Sequence, residues 1–153
     1  VDGEQFDIVT NEGVMRATGM DERQIGQIAA VELKEIERRR RIYLPGSKPI
    51  HAEGRSAILV DDGIATGASM RAAILAVRRR KPAEIIVAVP VAGQDTVRSL
   101  GALVDDAIVL AVPDRFDSVG RFYQDFHQLT DDEVIAILAA STAREADPAL
   151  GRD

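Results

Sequence analysis

Two adjacent carboxylates followed by a run of small residues form the stretch whose residue types are best suited to chemistry. Asp61 and Asp62 follow the apolar run Ala57–Val60, and residues 63–69 are Gly, Ile, Ala, Thr, Gly, Ala and Ser. Carboxylates accept hydrogen bonds from sugar hydroxyls and can hold a divalent cation. Small residues let a phosphate approach the unpaired N–H groups at a helix N-terminus, and the threonine and serine hydroxyls add donors. A sugar phosphate suits this stretch, because its hydroxyls can meet the carboxylates and its phosphate can meet the run of small residues.

The flanking residues predict the elements that would position this stretch. The β-branched run before the acid pair predicts a buried strand, and residues 70–80 predict a helix. An ordinary strand–turn–helix without a ligand is the alternative. Acid pairs at strand ends also hold Mg²⁺ in receiver domains, but we find no convincing further Asp and Lys at strand ends for such a site. The P-loop pattern GxxxxGK[ST] is absent.

Strands and helices alternate along the middle of the chain. Residues 84–90 and 105–112 predict further strands, and residues 94–103 predict the helix between them. This alternation is typical of a parallel sheet covered on both faces, with ligands at the carboxyl edge of the strands. Asp61 and Asp62 lie at that edge, whereas the second acid pair, Asp105 and Asp106, opens its strand and belongs at the opposite edge.

Composition limits the class of protein. The chain has 153 residues, 46% of them hydrophobic, a net charge of −6 and no cysteine. We therefore expect one domain, no nucleic-acid partner, no disulfide and a cytoplasmic location. No apolar run is long enough to span a membrane, so no membrane partner is expected. The expected parts are a hairpin (1–20), a long helix capped by Asp21 (21–43), an α/β core (56–112) and a C-terminal segment and helix (113–143), in which a capping box of Thr130 and Glu133 starts the helix.

Two flanking features leave alternatives open. Arg38 to Arg41 end the long helix, and we favour a solvated helix terminus over a phosphate-facing cluster. Four of the six aromatic residues lie between residues 116 and 126, where they can either pack the C-terminal segment or stack on a flat acceptor. Packing is favoured for most of them, and Tyr123 is the best single candidate for a ligand contact.

The sequence of residues 58–69, ILVDDGIATGAS, closely resembles the phosphoribosyl-pyrophosphate (PRPP) motif of the type I phosphoribosyltransferases. Beyond this motif, the segments at residues 89–92 and 116–126 resemble a little-characterised bacterial branch of predicted phosphoribosyltransferases. The resemblance implies a three-layer α/β/α fold with a mainly parallel sheet. It also implies that Asp61 and Asp62 orient the ribose during catalysis and hold Mg²⁺, directly or indirectly. The PRPP-binding residues it implies are Asp61, Asp62, Gly63, Ile64, Ala65, Thr66, Gly67 and Ser69.

The implied activity is the transfer of a phosphoribosyl group from PRPP, with Mg²⁺, to a nitrogen acceptor of unknown identity in nucleotide metabolism. The alternative is a non-catalytic regulatory module that binds PRPP or a nucleotide. Purine-salvage members of the family place an acid three residues after the acid pair, where this sequence has Ala65. The resemblance therefore argues against a hypoxanthine or guanine acceptor, and Tyr123 is the predicted acceptor contact.

The family carries further strands upstream, including a pyrophosphate-binding loop that nothing in this sequence matches. The chain is therefore expected to be a shortened product, or else to match the family only in part. A sheet that lacks its first strands would expose an unpaired strand edge, and exposed edges tend to pair. A homo-oligomer is expected for this reason.

Overall fold

The computed structural model describes residue 15, residues 18–46 and residues 51–145. Contacts divide the chain into two compact units. The first, here called the sheet unit, comprises Val1–Met20 and Ile50–Phe126, and the second, the helical unit, comprises Asp21–Pro49 and His127–Asp153. The prediction of one domain over residues 1–153 stays a prediction.

The sheet unit contains three parallel strands in the order β1-β2-β3. Their bounds are Ser56–Val60 (β1), Glu84–Val91 (β2) and Asp106–Ala111 (β3). Helix α2 (Ala68–Arg78) connects the first two strands and helix α3 (Gln94–Gly101) the last two. The predicted α/β fold with a parallel sheet is confirmed, and the carboxyl ends of all three strands share one edge.

The core of the sheet unit lies between one face of the sheet and these two helices. Alternate residues of β2 (Ile85, Val87 and Val89) are at most 3% exposed, and they pack against Ile74 of α2 and Leu100 of α3. Each such side chain stabilises the fold by roughly 1.5–3 kcal/mol. On the opposite face the apolar residues are exposed, namely Ile58 and Val60 of β1 and Ile108 and Leu110 of β3.

Helix α2 begins and ends two residues earlier than the sequence predicted. Its N-cap is Gly67, whose φ of 78° is the left-handed conformation that glycine adopts readily. The predicted start was Met70, because the small residues Ala68 and Ser69 are typical of a loop. The helix ends at Arg78 because Arg80 N–H bonds to the Val77 carbonyl in a tighter turn and Lys81 takes a φ of 51°.

Helix α1 (Glu22–Tyr43) and helix α4 (Asp131–Glu145) belong to the helical unit. Asp21 caps α1, since its carboxylate accepts from Gln24 N–H while the Gln24 side chain accepts from Asp21 N–H. Thr130 and Glu133 form the same reciprocal arrangement at α4. The predicted starts of both helices are thereby confirmed.

Ion pairs organise part of the arginine run. Arg38 contacts Glu35 and Asp131, each at 2.7 Å, and the Tyr43 hydroxyl also donates to Asp131. Hydrogen bonds from Arg38 lower the pKa of both carboxyl groups to about 2, while the bond to Asp131 raises the pKa of Tyr43. Arg38 therefore links α1 to α4 through ion pairs, and the choice between a solvated terminus and a phosphate-facing cluster for the run as a whole stays a prediction.

The hairpin predicted over residues 1–20 lies largely outside the described residues. Where the chain is described, Met15 and Thr18 have helical backbone, and Gly19 N–H donates to the Met15 carbonyl at 3.0 Å. Gly19 has a φ of 64°, the conformation that commonly ends a helix. Met15 is thus helical where a returning strand was predicted.

None of the helices in the described part of the chain combines the length and the apolar character that crossing a membrane requires.

Candidate functional site

The candidate site is the loop between β1 and α2, residues 61–67, which we call the acidic loop. It leaves the carboxyl end of β1, crosses the end of β2 and enters the first turn of α2. The anchor of this crossing is Ile64, which is 4% exposed and whose N–H donates to the Val91 carbonyl at 2.9 Å. Burial of this one apolar residue in the middle of the loop fixes the position of the loop relative to the end of β2.

Exposed and buried residues alternate along the acidic loop and the first turn of α2. Asp61 and Asp62 are exposed, as are Thr66 and Ser69. Gly63, Ile64 and Gly67 are buried. The predicted carboxylates and hydroxyls are therefore all exposed, and they lie on the loop and the first turn of α2 that follow the carboxyl end of β1.

The amino end of α2 supplies backbone donors to this stretch. The first intrahelical bond runs from Arg71 N–H to the Gly67 carbonyl at 2.9 Å, so the N–H groups before Arg71 have no acceptor within the helix. Gly67 as N-cap offers no side-chain acceptor to them. This combination of free N–H groups, the positive end of the helix dipole and nearby hydroxyls can bind a phosphate group.

The two carboxylates lie at the strand end of the same loop. Asp61 Oδ1 accepts from Asp62 N–H at 3.0 Å, which orients the Asp61 carboxylate along the loop and leaves its other oxygen free of this bond. In the described residues no group of three or more His, Cys, Asp or Glu side chains forms a metal cage. Two carboxylates suit Mg²⁺, which keeps several waters and is usually held by one or two carboxylates together with substrate phosphates.

Two glycines allow the loop to pack closely on its neighbours. A Cβ on Gly63 would lie 2.6 Å from a Val119 methyl and 3.0 Å from a Val91 methyl. A Cβ on Gly67 would lie 3.2 Å from the Thr96 methyl, at a backbone φ that other residues rarely adopt. Glycine is therefore required at both positions, by space at the first and mainly by conformation at the second.

Residues outside the loop hold its backbone from two directions. The Thr96 hydroxyl donates to the Ala65 carbonyl at 2.7 Å, and the Tyr123 hydroxyl donates to the Asp62 carbonyl at 2.6 Å. Sequence reasoning missed Thr96 and Val119 altogether, because a contact between residues so far apart leaves no local pattern. It did select Tyr123, as an acceptor contact, and that role stays a prediction.

The aromatic segment lies beside the loop in the sheet unit. The rings of Phe116 and Phe122 stack with centroids 5.8 Å apart, and those of Tyr123 and Phe126 meet at 5.1 Å with a tilt of 39°. A Cβ on Gly93 would sit 3.5 Å from the Phe116 ring. These ring contacts favour packing for most of the aromatics, although Phe122 and Phe126 are 43% and 49% exposed.

The second acid pair lies at the opposite edge, as predicted. Asp105 accepts from Ile85 N–H at 2.8 Å, and Asp106 accepts from Ala107 N–H at 2.8 Å where β3 begins. Both carboxylates therefore satisfy backbone donors at the amino ends of the strands. This separates them from the candidate site by the length of the sheet.

Comparison with known proteins gives the class to which this fold and site belong. A family model described as the phosphoribosyl transferase domain matches residues 9–121, so the chain belongs to the phosphoribosyl transferase domain family. It is 37% identical over 136 residues to proteins of two Mycobacterium tuberculosis strains that are provisionally named phosphoribosyl transferases. That match covers 89% of this chain but only 31% of each relative.

The chain is also similar to a solved structure. The crystal structure of TT1426 from Thermus thermophilus is similar to this chain with a TM-score of 0.65 and 38% identity. The similarity covers 88% of this chain and 63% of the other. The chain thus spans less than two thirds of the proteins it resembles, while its own fold and family are established over most of its length.

Proposed function

We propose that the protein binds PRPP together with Mg²⁺ and transfers the phosphoribosyl group to a nitrogen acceptor, with release of pyrophosphate. The observation that carries this proposal is the arrangement of the acidic loop. Two exposed carboxylates and two exposed hydroxyls lie within nine consecutive residues, 61–69, which also contain the amino end of α2 with its unpaired N–H groups. A phosphorylated ribose presents a diol and a phosphate at its two ends, and this stretch complements both. Membership of the family supports the same ligand class.

The roles of the residues follow from their chemistry. Asp61 and Asp62 accept hydrogen bonds from the ribose hydroxyls and stabilise the positive charge that develops on the sugar as the bond to pyrophosphate breaks. The backbone of residues 63–67, with the hydroxyls of Thr66 and Ser69, holds the 5′-phosphate. The acceptor nitrogen then forms its bond to ribose C1, and the electron pair of the broken bond leaves with pyrophosphate.

Mg²⁺ bound near the two carboxylates would neutralise negative charge on the leaving diphosphate. The protein groups position the sugar and phosphate in a fixed arrangement, which supplies much of the rate acceleration in a reaction of this type. No side chain of the acidic loop is required as a nucleophile.

Calorimetric titration with PRPP, with and without Mg²⁺, tests the proposal. Removing a carboxylate that accepts hydrogen bonds from the ligand (Asp61→Asn or Asp62→Asn) should weaken binding by about tenfold to a hundredfold. Asp106→Asn is the matched control, because it makes the same change of charge next to a strand at the opposite edge. Saturable, Mg²⁺-enhanced binding lost only in the first two variants supports the site, and equal affinities in all four proteins refute it.

Pyrophosphate release separates transfer from mere binding. PRPP is incubated with Mg²⁺ and a panel of nitrogen acceptors, and pyrophosphate is measured against the Asp62→Asn variant. Release that depends on one acceptor class supports the transferase. Tight binding with no release in the presence of any acceptor would instead indicate a module that senses PRPP.

A further inference from the structure

Two hydroxyl donors from different elements hold the backbone of the acidic loop. Thr96, in the first turn of α3, donates to the Ala65 carbonyl, and Tyr123, just after the 3-10 turn Val119–Phe122, donates to the Asp62 carbonyl. The partners are 31 and 61 residues apart in sequence. Each donor therefore ties the loop to a separate part of the sheet unit.

The Tyr123 bond acts on the half of the loop that carries the carboxylates. Asp62 is held on both sides, since its N–H donates to Asp61 Oδ1 and its carbonyl accepts from Tyr123. The next residue, Gly63, is packed against Val119, which belongs to the same segment as the tyrosine. The orientation of both carboxylates thus depends on the peptide planes around Asp62, and Tyr123 fixes one of these planes.

The Thr96 bond acts on the half of the loop that leads into α2. Its hydroxyl fixes the Ala65 carbonyl, and its methyl group would lie 3.2 Å from a Cβ at Gly67. Thr66, whose exposed hydroxyl is assigned to the phosphate, lies between these two points. Loss of the threonine hydroxyl therefore frees the segment that presents Thr66 and the α2 donors.

We propose that Tyr123 and Thr96 are positioning residues with separate tasks: Tyr123 aligns the carboxylates for the sugar diol, and Thr96 aligns the segment that holds the phosphate. This inference rests on the proposed function and adds to it two residues that act through the loop backbone. Binding groups gain most when they are held within about half an ångström of the productive geometry, and hydroxyl–carbonyl bonds at both ends of the loop supply that restraint.

Affinities for three simple ligands separate the two tasks. Ribose 5-phosphate carries the phosphate and both hydroxyls of the diol. 2-Deoxyribose 5-phosphate lacks one of these hydroxyls, and inorganic phosphate has no sugar at all. Tyr123→Phe should reduce the preference for ribose over deoxyribose by about threefold to tenfold while leaving the affinity for inorganic phosphate unchanged. Thr96→Val should lower the affinity for all three ligands by a similar factor without changing the preference for ribose. Thr96→Ser, which keeps the hydroxyl, should restore these affinities.

Tyr43→Phe is the matched control for the tyrosine, because it also removes a hydroxyl hydrogen bond, but in the helical unit. It should change neither affinity nor preference. If the wild-type protein prefers ribose and Tyr123→Phe keeps that preference, the positioning role is wrong while the proposed function stands. If the wild-type protein shows no preference for the diol, the proposed function fails and the inference fails with it.

Amide hydrogen exchange tests the restraint without any ligand. Tyr123→Phe and Thr96→Val should each accelerate exchange at the Ile64 amide, which lies in the loop and donates to the Val91 carbonyl of β2, relative to Tyr43→Phe. Unchanged exchange in both variants would overturn the inference whatever the ligand measurements show.

Discussion

The close packing of Gly63 gives a prediction whose size follows from the structure. In Gly63→Ala the new Cβ would lie 2.6 Å from one Val119 methyl and 3.0 Å from the other. Carbon atoms in contact normally lie about 3.5–4.0 Å apart, so the added methyl group overlaps by roughly 1 Å. Overpacking of this kind costs about 1–3 kcal/mol. The backbone of Gly63 has no positive φ, so the cost is steric and not conformational.

A double-mutant cycle tests this origin of the cost. Val119→Ala removes the closest methyl groups and should by itself cost about 1 kcal/mol, since this side chain is half-buried. In Gly63→Ala/Val119→Ala the overlap is largely relieved, so the free energies of unfolding should be non-additive by about 1 kcal/mol or more. The Val91 methyl at 3.0 Å keeps the relief from being complete.

Urea denaturation provides the assay, and Gly101→Ala provides the control. A Cβ at Gly101, the last residue of α3, meets nothing within 4 Å, so the same change there should be neutral or slightly stabilising. Gly63→Ala should lower the thermal midpoint by several degrees, at about 2–4 °C per kcal/mol for a protein of this size. The packing argument would be refuted if Gly63→Ala were as stable as the wild type. It would also be refuted if the changes in the free energy of unfolding caused by Gly63→Ala and Val119→Ala were strictly additive.

Three further results are expected. The Arg38 hydrogen bonds hold the pKa of Glu35 and of Asp131 at about 2. The ionised carboxylates therefore stabilise the folded state above about pH 4, and this contribution is lost as the pH falls toward 2. Urea midpoints measured from pH 5 to pH 2 should decline less in Asp131→Asn than in the wild type. Thr130→Ala, which removes the cap of α4, should cost about 1 kcal/mol by the same assay, and an unchanged midpoint would contradict the cap. In the described residues the outer edge of β1 has no partner strand, and light scattering at rising concentration should reveal a dimer or larger assembly, whereas a persistent monomer would exclude it.

Local patterns account for the parts of the fold that could be predicted. The β-branched runs located all three strands to within a residue or two, because apolar β-branched residues fit a buried parallel sheet. Asp21 and Thr130 located two helix starts, because their reciprocal caps involve residues only three apart. The two described helices of the sheet unit pack on one face of the sheet, and the predicted cover of the other face stays a prediction.

Long-range contacts account for what the sequence did not predict. Arg38 was recognised as part of a surface cluster, but its partner Asp131 lies 93 residues away and no spacing rule connects them. Thr96 lies in a helix, α3, whose own sequence contains no pattern that predicts a contact with the acidic loop. Tyr123 was selected for its polar tip, and the structure gives that tip a backbone carbonyl as its partner.

The contacts of the acidic loop also bear on how an acceptor could be activated, if the proposed function is correct. The residue at the position where purine-salvage enzymes carry an acid is Ala65, and its carbonyl already accepts from Thr96. Ala65 has no carboxylate to take a proton from the acceptor, and the Tyr123 hydroxyl already donates its proton to the Asp62 carbonyl. An acceptor whose nitrogen already has a free lone pair needs no such base. Acceptors of that kind should therefore support pyrophosphate release at neutral pH, and those that must first lose a proton should react only as the pH approaches their own pKa.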